Sequence, residues 1–221
     1  MQKTELVPLD AAQRGPAAEL LARAFHNDPL YALVIPDAGG RTAALAWLFD
    51  KVVHYALLYG EVYTTSALEG VACWLPPGRT ELTIGRIVRS GLHATPLKLG
   101  LAAYRCFDAY MSYADRLHHR YAPASHWYLW AIGVDPPKQG RGIGGRLIEP
   151  VLARASANGI ACYLETGTES NVRFYERHGF QTVDAGQAPR LGAPVWAMLR
   201  APADELQLPS QRNSLRFPEY P

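Results

Sequence analysis

The sequence predicts a mixed α/β fold: a central sheet of about seven strands with helices on both faces. Three observations predict it. Short β-branched and aromatic runs alternate with longer segments of helical period. Some of those runs are joined by a tight turn and others by a helix-length segment, so the sheet is mixed. A glycine-rich run, Gly140 to Gly145, joins an aromatic strand to a helix late in the chain.

Thr4 to Leu9 reads as a short edge strand ended by Pro8 and Asp10. Ala17 to His26 reads as a helix, with Pro16 at a favoured first-turn position and Leu20, Leu21, Ala24 and Phe25 at helical spacing. Asn27-Asp28-Pro29 breaks it, and 36–40 is a loop. A long helix follows from Arg41 to Tyr59, striped by Leu45, Leu48, Phe49, Val52, Val53 and Ala56 and closed by Gly60. Glu61 to Thr65 and Val71 to Leu75 form a meander. Residues 80–120 are mainly helical and broken near Gly91 to Pro96. A strand His126 to Val134, a helix 144–158, a strand 160–166, a helix 171–178, and strands 180–184 and Val195 to Arg200 complete the plan. Residues 1–200 are thus expected to form one domain with a helical insertion at 80–120, and 201–221, with three prolines and no periodicity, a tail.

At 221 residues and 24.3 kDa the chain can bury one sizeable core. A net charge of +2 gives no footprint for nucleic acid. No apolar run reaches the roughly 18 residues a membrane span needs. Met1 to Glu5 lacks the character of a signal peptide, so a cytoplasmic protein is expected. Cys73, Cys106 and Cys162 sit in apolar context and read as buried free thiols. His118, His119 and His126 lack a carboxylate or cysteine to complete a ligand set, so no metal is expected.

The run Val134 to Gly145 carries the function. Four glycines in six residues leave backbone N–H groups open, and the helix N-terminus just beyond favours negative charge. Such a loop suits a phosphate or pyrophosphate. A P-loop would need four residues between two glycines, then Lys and Ser/Thr, and no such run occurs. The dinucleotide fingerprint G-x-G-x-x-G is matched by Gly140, Gly142 and Gly145, with Glu165 at about the expected distance beyond. Against it, Asp135 to Gln139 separate the strand from the first glycine, and too little chain follows for a doubly wound sheet.

Gln139-Gly140-Arg141-Gly142-Ile143-Gly144 fits Q/R-x-x-G-x-G/A, and resembles the pyrophosphate loop of the GNAT acyltransferase superfamily. Cys162 to Thr166, then Asn171 to Phe180 with its Phe174-Tyr175-Glu176-Arg177-His178-Gly179-Phe180, resemble that superfamily's fifth strand, following helix and "FYE+xGF" signature. The match spans about 126–183. Leu164-Glu165-Thr166 with Asn171 and Phe174 to Arg177 most resemble the puromycin N-acetyltransferase group. The resemblance implies the GNAT fold, with acetyl-CoA as co-substrate. Its pyrophosphate would be held by Gln139, Gly140, Arg141, Gly142, Ile143, Gly144 and Gly145, and its arm by backbone groups of Ile132, Gly133 and Val134 where strands four and five splay apart.

Acetyl transfer to an amine needs a base, an oxyanion donor and a proton for the departing thiolate. Tyr175, the tyrosine of the signature, is the candidate acid on the first turn of its helix. The alternative is a tyrosine buried for packing. Asn171, one turn earlier, either caps the helix or holds the arm. Glu165, at a strand end, is the candidate base, or else a carboxylate paired with an arginine. Asp28 and Glu61 are alternative bases. Asp28 and Tyr31 lie where an acceptor site is expected. Trp127, Tyr128, Trp130, Tyr104, Tyr110 and Tyr113 are core or pocket wall. The expected activity is direct acetyl transfer to the amine of a small molecule. A protein or peptide acceptor, or a non-catalytic acyl-CoA-binding module, are the alternatives. A homodimer is left open.

Overall fold

The computed structural model describes residues 5–189 and 191–202. In chain order the elements are β1 (Leu6–Pro8), α1 (Arg14–Ala24), α2 (Pro29–Val34), α3 (Ala38–Tyr59), β2 (Glu61–Thr65), β3 (Gly70–Leu75), α4 (Ile84–Ser90), α5 (Thr95–Leu99), α6 (Leu101–Tyr121), β4 (His126–Val134), α7 (Ile143–Ala157), β5 (Ala161–Thr166), α8 (Glu169–Glu176), β6 (Gln181–Gln187) and β7 (Pro194–Arg200). The seven strands form one sheet in the order β1-β2-β3-β4-β5-β7-β6. All neighbours are antiparallel except β4 and β5. The mixed seven-stranded sheet read from the sequence is the sheet observed. The tail expected at 201–221 lies almost wholly outside the described residues.

Three apolar clusters fix the layers. On one face α1 and α3 cover β2 and β3 through Leu20, Leu21, Phe49 and Val53. On the other, α7 and α8 cover the middle of the sheet through Leu147, Ile148, Val151 and Tyr175. The third cluster joins α2 and α6 to β4, β5 and β7. The fully buried Trp74, Tyr55 and Tyr163 anchor these layers, each removing a large apolar area from water.

Several elements differ from the expectation, for local reasons. Asn27-Asp28-Pro29 does not merely break a helix: Asp28 accepts from the Leu30 N–H at 3.0 Å and Pro29 opens α2, a capped start followed by a first-turn proline. Asp37 likewise accepts from Gly39 and Gly40 N–H, so α3 begins three residues before Arg41. In the insertion, Pro96 opens α5 instead of breaking it, and the interruptions fall at Gly91 and Gly100, with φ of 87° and 79°. Cys106 is exposed, whereas Cys73 and Cys162 are buried.

Two irregularities of β4 place the site. Its register against β3 shifts by one residue between Cys73 and Trp74, so that Trp130 is skipped, a bulge that loosens the ladder there. Its parallel pairing with β5 lasts only from His126↔Ala161 to Tyr128↔Tyr163. Beyond those residues β5 continues against β7 alone, and the two strands part.

Candidate functional site

A cavity of about 1030 Å³ opens where β4 and β5 part. One end is lined by Ile132, Gly133, Val134, Lys138 to Gly140 and Gly142 to Gly145, with Arg141 of the same loop outside the lining, and the other by residues of α2 and α4–α6. The cavity thus links the glycine loop to the helical insertion.

The loop is braced from below. Gln139 Nε2 donates to the Val134 carbonyl at 3.1 Å, Lys138 pairs with Glu69 at 3.0 Å, and Asp135 pairs with Arg23 at 2.8 Å. Gly140 and Gly142 adopt φ of 75° and 73°, and a Cβ at either would meet open space. That conformation is costly for any other residue. Gly142 is the N-cap of α7 and supplies no side chain to its first N–H groups, which leaves them for a ligand. A positive-φ turn opening into an uncapped helix start fits a pyrophosphate.

Gly144 and Gly145 serve a different purpose. A Cβ at Gly144 would stand 3.3 Å from the Phe174 ring, and one at Gly145 2.7 Å from His178 Nε2. These two glycines let α7 approach α8. Gly133 does the same for α1, where a Cβ would lie 2.8 Å from Leu21.

Across the gap, Tyr175 is 5% exposed and faces the cavity. It lies on the last turn of α8, not the first, because α8 starts at Glu169. Its ring packs edge-on against Phe174 and Phe180 at 5.0 and 5.8 Å. Burial holds its hydroxyl proton far above the ordinary tyrosine value, so it is a donor at any neutral pH. The helix cap is Thr168, whose Oγ1 accepts from the Asn171 N–H at 3.3 Å. Asn171 is therefore not the cap, and it lines the cavity.

Glu165 has no arginine partner among the described residues. Its Oε2 accepts from the Tyr128 hydroxyl at 2.8 Å, and its Oε1 is buried without a hydrogen-bond partner. Burial lifts its pKa to about 7, while the nearby Tyr128 and Tyr163 hydroxyls pull it part of the way back. A carboxylate with that value can both accept and release a proton near neutral pH. Asp28 lies in the same cavity, its pKa also raised by burial against the pull of the Leu30 N–H.

Glu61, the other alternative base, belongs elsewhere. It binds Arg154 through both oxygens, at 3.1 and 2.5 Å, and accepts from Tyr63 at 2.8 Å. Of the aromatic side chains weighed as core or wall, Tyr104, Tyr110, Tyr128 and Trp130 line the cavity, and so does Tyr31, expected at the acceptor site. Trp127 packs beneath Arg154 at 4.8 Å and against Trp74. His118 and His126 bond to each other, Nε2 to Nε2 at 2.7 Å, and no group of three potential ligands gathers among the described residues. No described helix is long and apolar enough to cross a membrane.

Residues 102–180 match the model of the Acetyltransferase (GNAT) family. An uncharacterized N-acetyltransferase of Schizosaccharomyces pombe is 28% identical over 199 residues, which cover 86% of this chain and 80% of the relative. A Corynebacterium glutamicum structure, described as a histone acetyltransferase and related acetyltransferase, shares 24% identity and a TM-score of 0.62 over 93% of this chain and 97% of its own. The Drosophila melanogaster polyamine N-acetyltransferase has 17% identity and a TM-score of 0.58, over 89% of this chain and all of its own. With both structures the likeness is one of fold.

Proposed function

We propose that this chain, an N-acetyltransferase of the GNAT family, moves an acetyl group from acetyl-CoA directly onto the amine of a small molecule. One observation carries the reading. A single cavity has a positive-φ glycine loop at one end and a buried carboxylate with a pKa of about 7 at the other. Residues 1–200 act as one domain in this reading, with 80–120 as the insertion that walls the acceptor side.

The loop from Gln139 to Gly145 and the first turn of α7 hold the pyrophosphate through backbone N–H groups. The backbone of Ile132 to Val134, past the last β5 partner, receives the arm, with Asn171 facing it. When bound, acetyl-CoA supplies the acetyl group as a thioester, whose carbonyl carbon bonds to the amine nitrogen as the carbon–sulfur bond breaks.

Glu165 prepares the nucleophile. An ammonium cannot attack, and Glu165 Oε1, free of other partners, takes its proton. Backbone N–H groups of β4 beyond Leu129, which have no β5 partner, are the donors available to the carbonyl oxygen as it gains charge. Tyr175 donates its hydroxyl proton to the departing sulfur. Its raised pKa does not forbid this, because dry surroundings raise thiols as well: burial pushes Cys73 up to about 12. Placing the acceptor under α2 and α6 favours a small molecule over a protein chain. The signature around Glu165 and Tyr175 keeps the puromycin N-acetyltransferase group as the model for that acceptor.

The test is an amine panel with acetyl-CoA, followed by free-thiol release and by the added mass of an acetyl group on the amine. Tight NAD binding with no response to acetyl-CoA would overturn the reading and restore the dinucleotide one.

A further inference from the structure

The acceptor end of the cavity holds two carboxylates withdrawn from water that the chain itself does not neutralise, while a third, Asp108, is exposed and accepts from the Tyr104 hydroxyl at 3.3 Å. Asp28 and Glu165 both line it, and neither pairs with a lysine, arginine or histidine among the described residues. Lys138, Arg177 and His178 stand at the loop end, and His93 is the one basic side chain described at the acceptor end. Among the described lining residues, lysine and arginine thus stand where the phosphates are expected, and the two withdrawn carboxylates where the amine is.

The two carboxylates occupy different places in that acidic end. Glu165 is carried by β5 and bonded to Tyr128. Asp28 is carried by the start of α2, where Oδ1 accepts the Leu30 N–H at 3.0 Å. Tyr110 of α6 lies within the field of both, since the negative charge of each raises its hydroxyl further after burial has done so. Aromatic surface fills the space around them: Tyr31 stacks on Phe107 at 6.3 Å, and Trp130 faces the same cavity. Rings beside carboxylates are a setting for alkylammonium groups, held by charge and by the ring faces together.

We propose that the acceptor is a dication, a diamine or an amine bearing a guanidine, whose reacting amine meets Glu165 while its second charged group is held by Asp28. This rests on the acetyl-transfer reading above and names its substrate class. A buried carboxylate without a partner is costly, and a ligand carrying one charge leaves one of the two uncompensated. The assignment separates their tasks. The reacting nitrogen gives its proton to Glu165, forms the bond to the acetyl carbon and displaces the thiolate, which takes a proton from Tyr175. The distal group keeps its charge throughout and only fixes the position of the first. Asp28 is thus a specificity-determining residue.

The experiment compares a short series of α,ω-diamines with n-alkylamines of equal length, in the wild-type chain and in Asp28→Asn. Asparagine is as good an N-cap as aspartate, so α2 keeps its start while the charge is lost. Turnover is read by thiol release, and binding of each amine in the presence of CoA by calorimetry. The best diamine is expected to surpass its alkylamine in kcat/KM by about 30-fold or more, the scale of one buried charge pair. In Asp28→Asn that advantage collapses through the diamine's KM with its kcat little changed, and the diamine's KM rises far more than the alkylamine's. Equal efficiency of diamine and alkylamine overturns the proposal and leaves acetyl transfer standing. So does diamine binding that Asp28→Asn does not weaken. Diamine binding that depends on Asp28 without acetylation of either amine overturns the transfer reading and keeps the dicationic site.

Discussion

The Tyr128 hydroxyl donates to Glu165 Oε2 at 2.8 Å across the last paired residues of β4 and β5. That bond joins the two strands just where their backbone pairing stops. It also occupies one oxygen of the carboxylate and leaves the other, Oε1, buried without a hydrogen-bond partner.

Glu165→Gln separates activity from stability. The carboxyl keeps its proton to about pH 7 when folded, against an ordinary value of 4.5. Between those values the folded state binds more protons than the unfolded one, so this group's contribution to stability falls as pH rises from 4.5 to about 7. The substitution removes that penalty. We expect kcat/KM to drop by roughly 10²–10⁴-fold, its rising limb near pH 7 to vanish, and thermal stability at pH 8 to hold or improve.

Tyr128→Phe removes the hydrogen bond that favours the charged form of Glu165. The apparent pKa of the base should rise, and the pH–rate profile should move to higher pH with it. Activity lost at pH 7 should return in part at pH 8.5. A pH-independent loss would assign Tyr128 to packing.

Tyr175→Phe keeps the ring against Phe174 and Phe180 and removes only the oxygen. Stability should change by about 1 kcal/mol or less. Turnover should fall by roughly 10²–10⁴-fold with acetyl-CoA affinity near its original value. Full turnover on a verified acceptor would return this tyrosine to the core.

The glycines of the loop should fail in two different ways. Gly142→Val forces a side chain onto φ 73° in open space, so acetyl-CoA Kd should rise about tenfold or more with a modest fall in Tm. Gly144→Val drives a branched side chain toward Phe174, 3.3 Å from its Cβ, and should lower Tm strongly. Calorimetry beside thermal unfolding distinguishes them.

Much of this architecture was legible because it rests on local signals. The striped α3, the 61–75 meander and the strand–glycine–helix run each declare themselves within a few residues. Tyr175 and Glu165 stand out in the sequence as candidates through the surrounding motif, not through any property of their own. The remainder depends on distance. Nothing near Tyr128 in the chain marks it as the partner of a carboxylate 37 residues away. Thr168 outcompeted Asn171 as the cap because a helix start is decided by which oxygen reaches the third N–H. Helix α2 was hidden because a capped turn and a chain break use the same three residue types.

The brevity of the β4–β5 pairing has a thermodynamic consequence. Three register pairs are the whole seam between the half-sheet β1–β4 and the half-sheet β5–β7–β6. Amide exchange in the free protein should therefore resolve two opening units, with the Leu129 to Val134 amides on the parted side exchanging early. A molecule lying in the gap would bond to both halves at once. Its binding should slow exchange in β5 and β7, far from any atom it touches, and merge the two units into one.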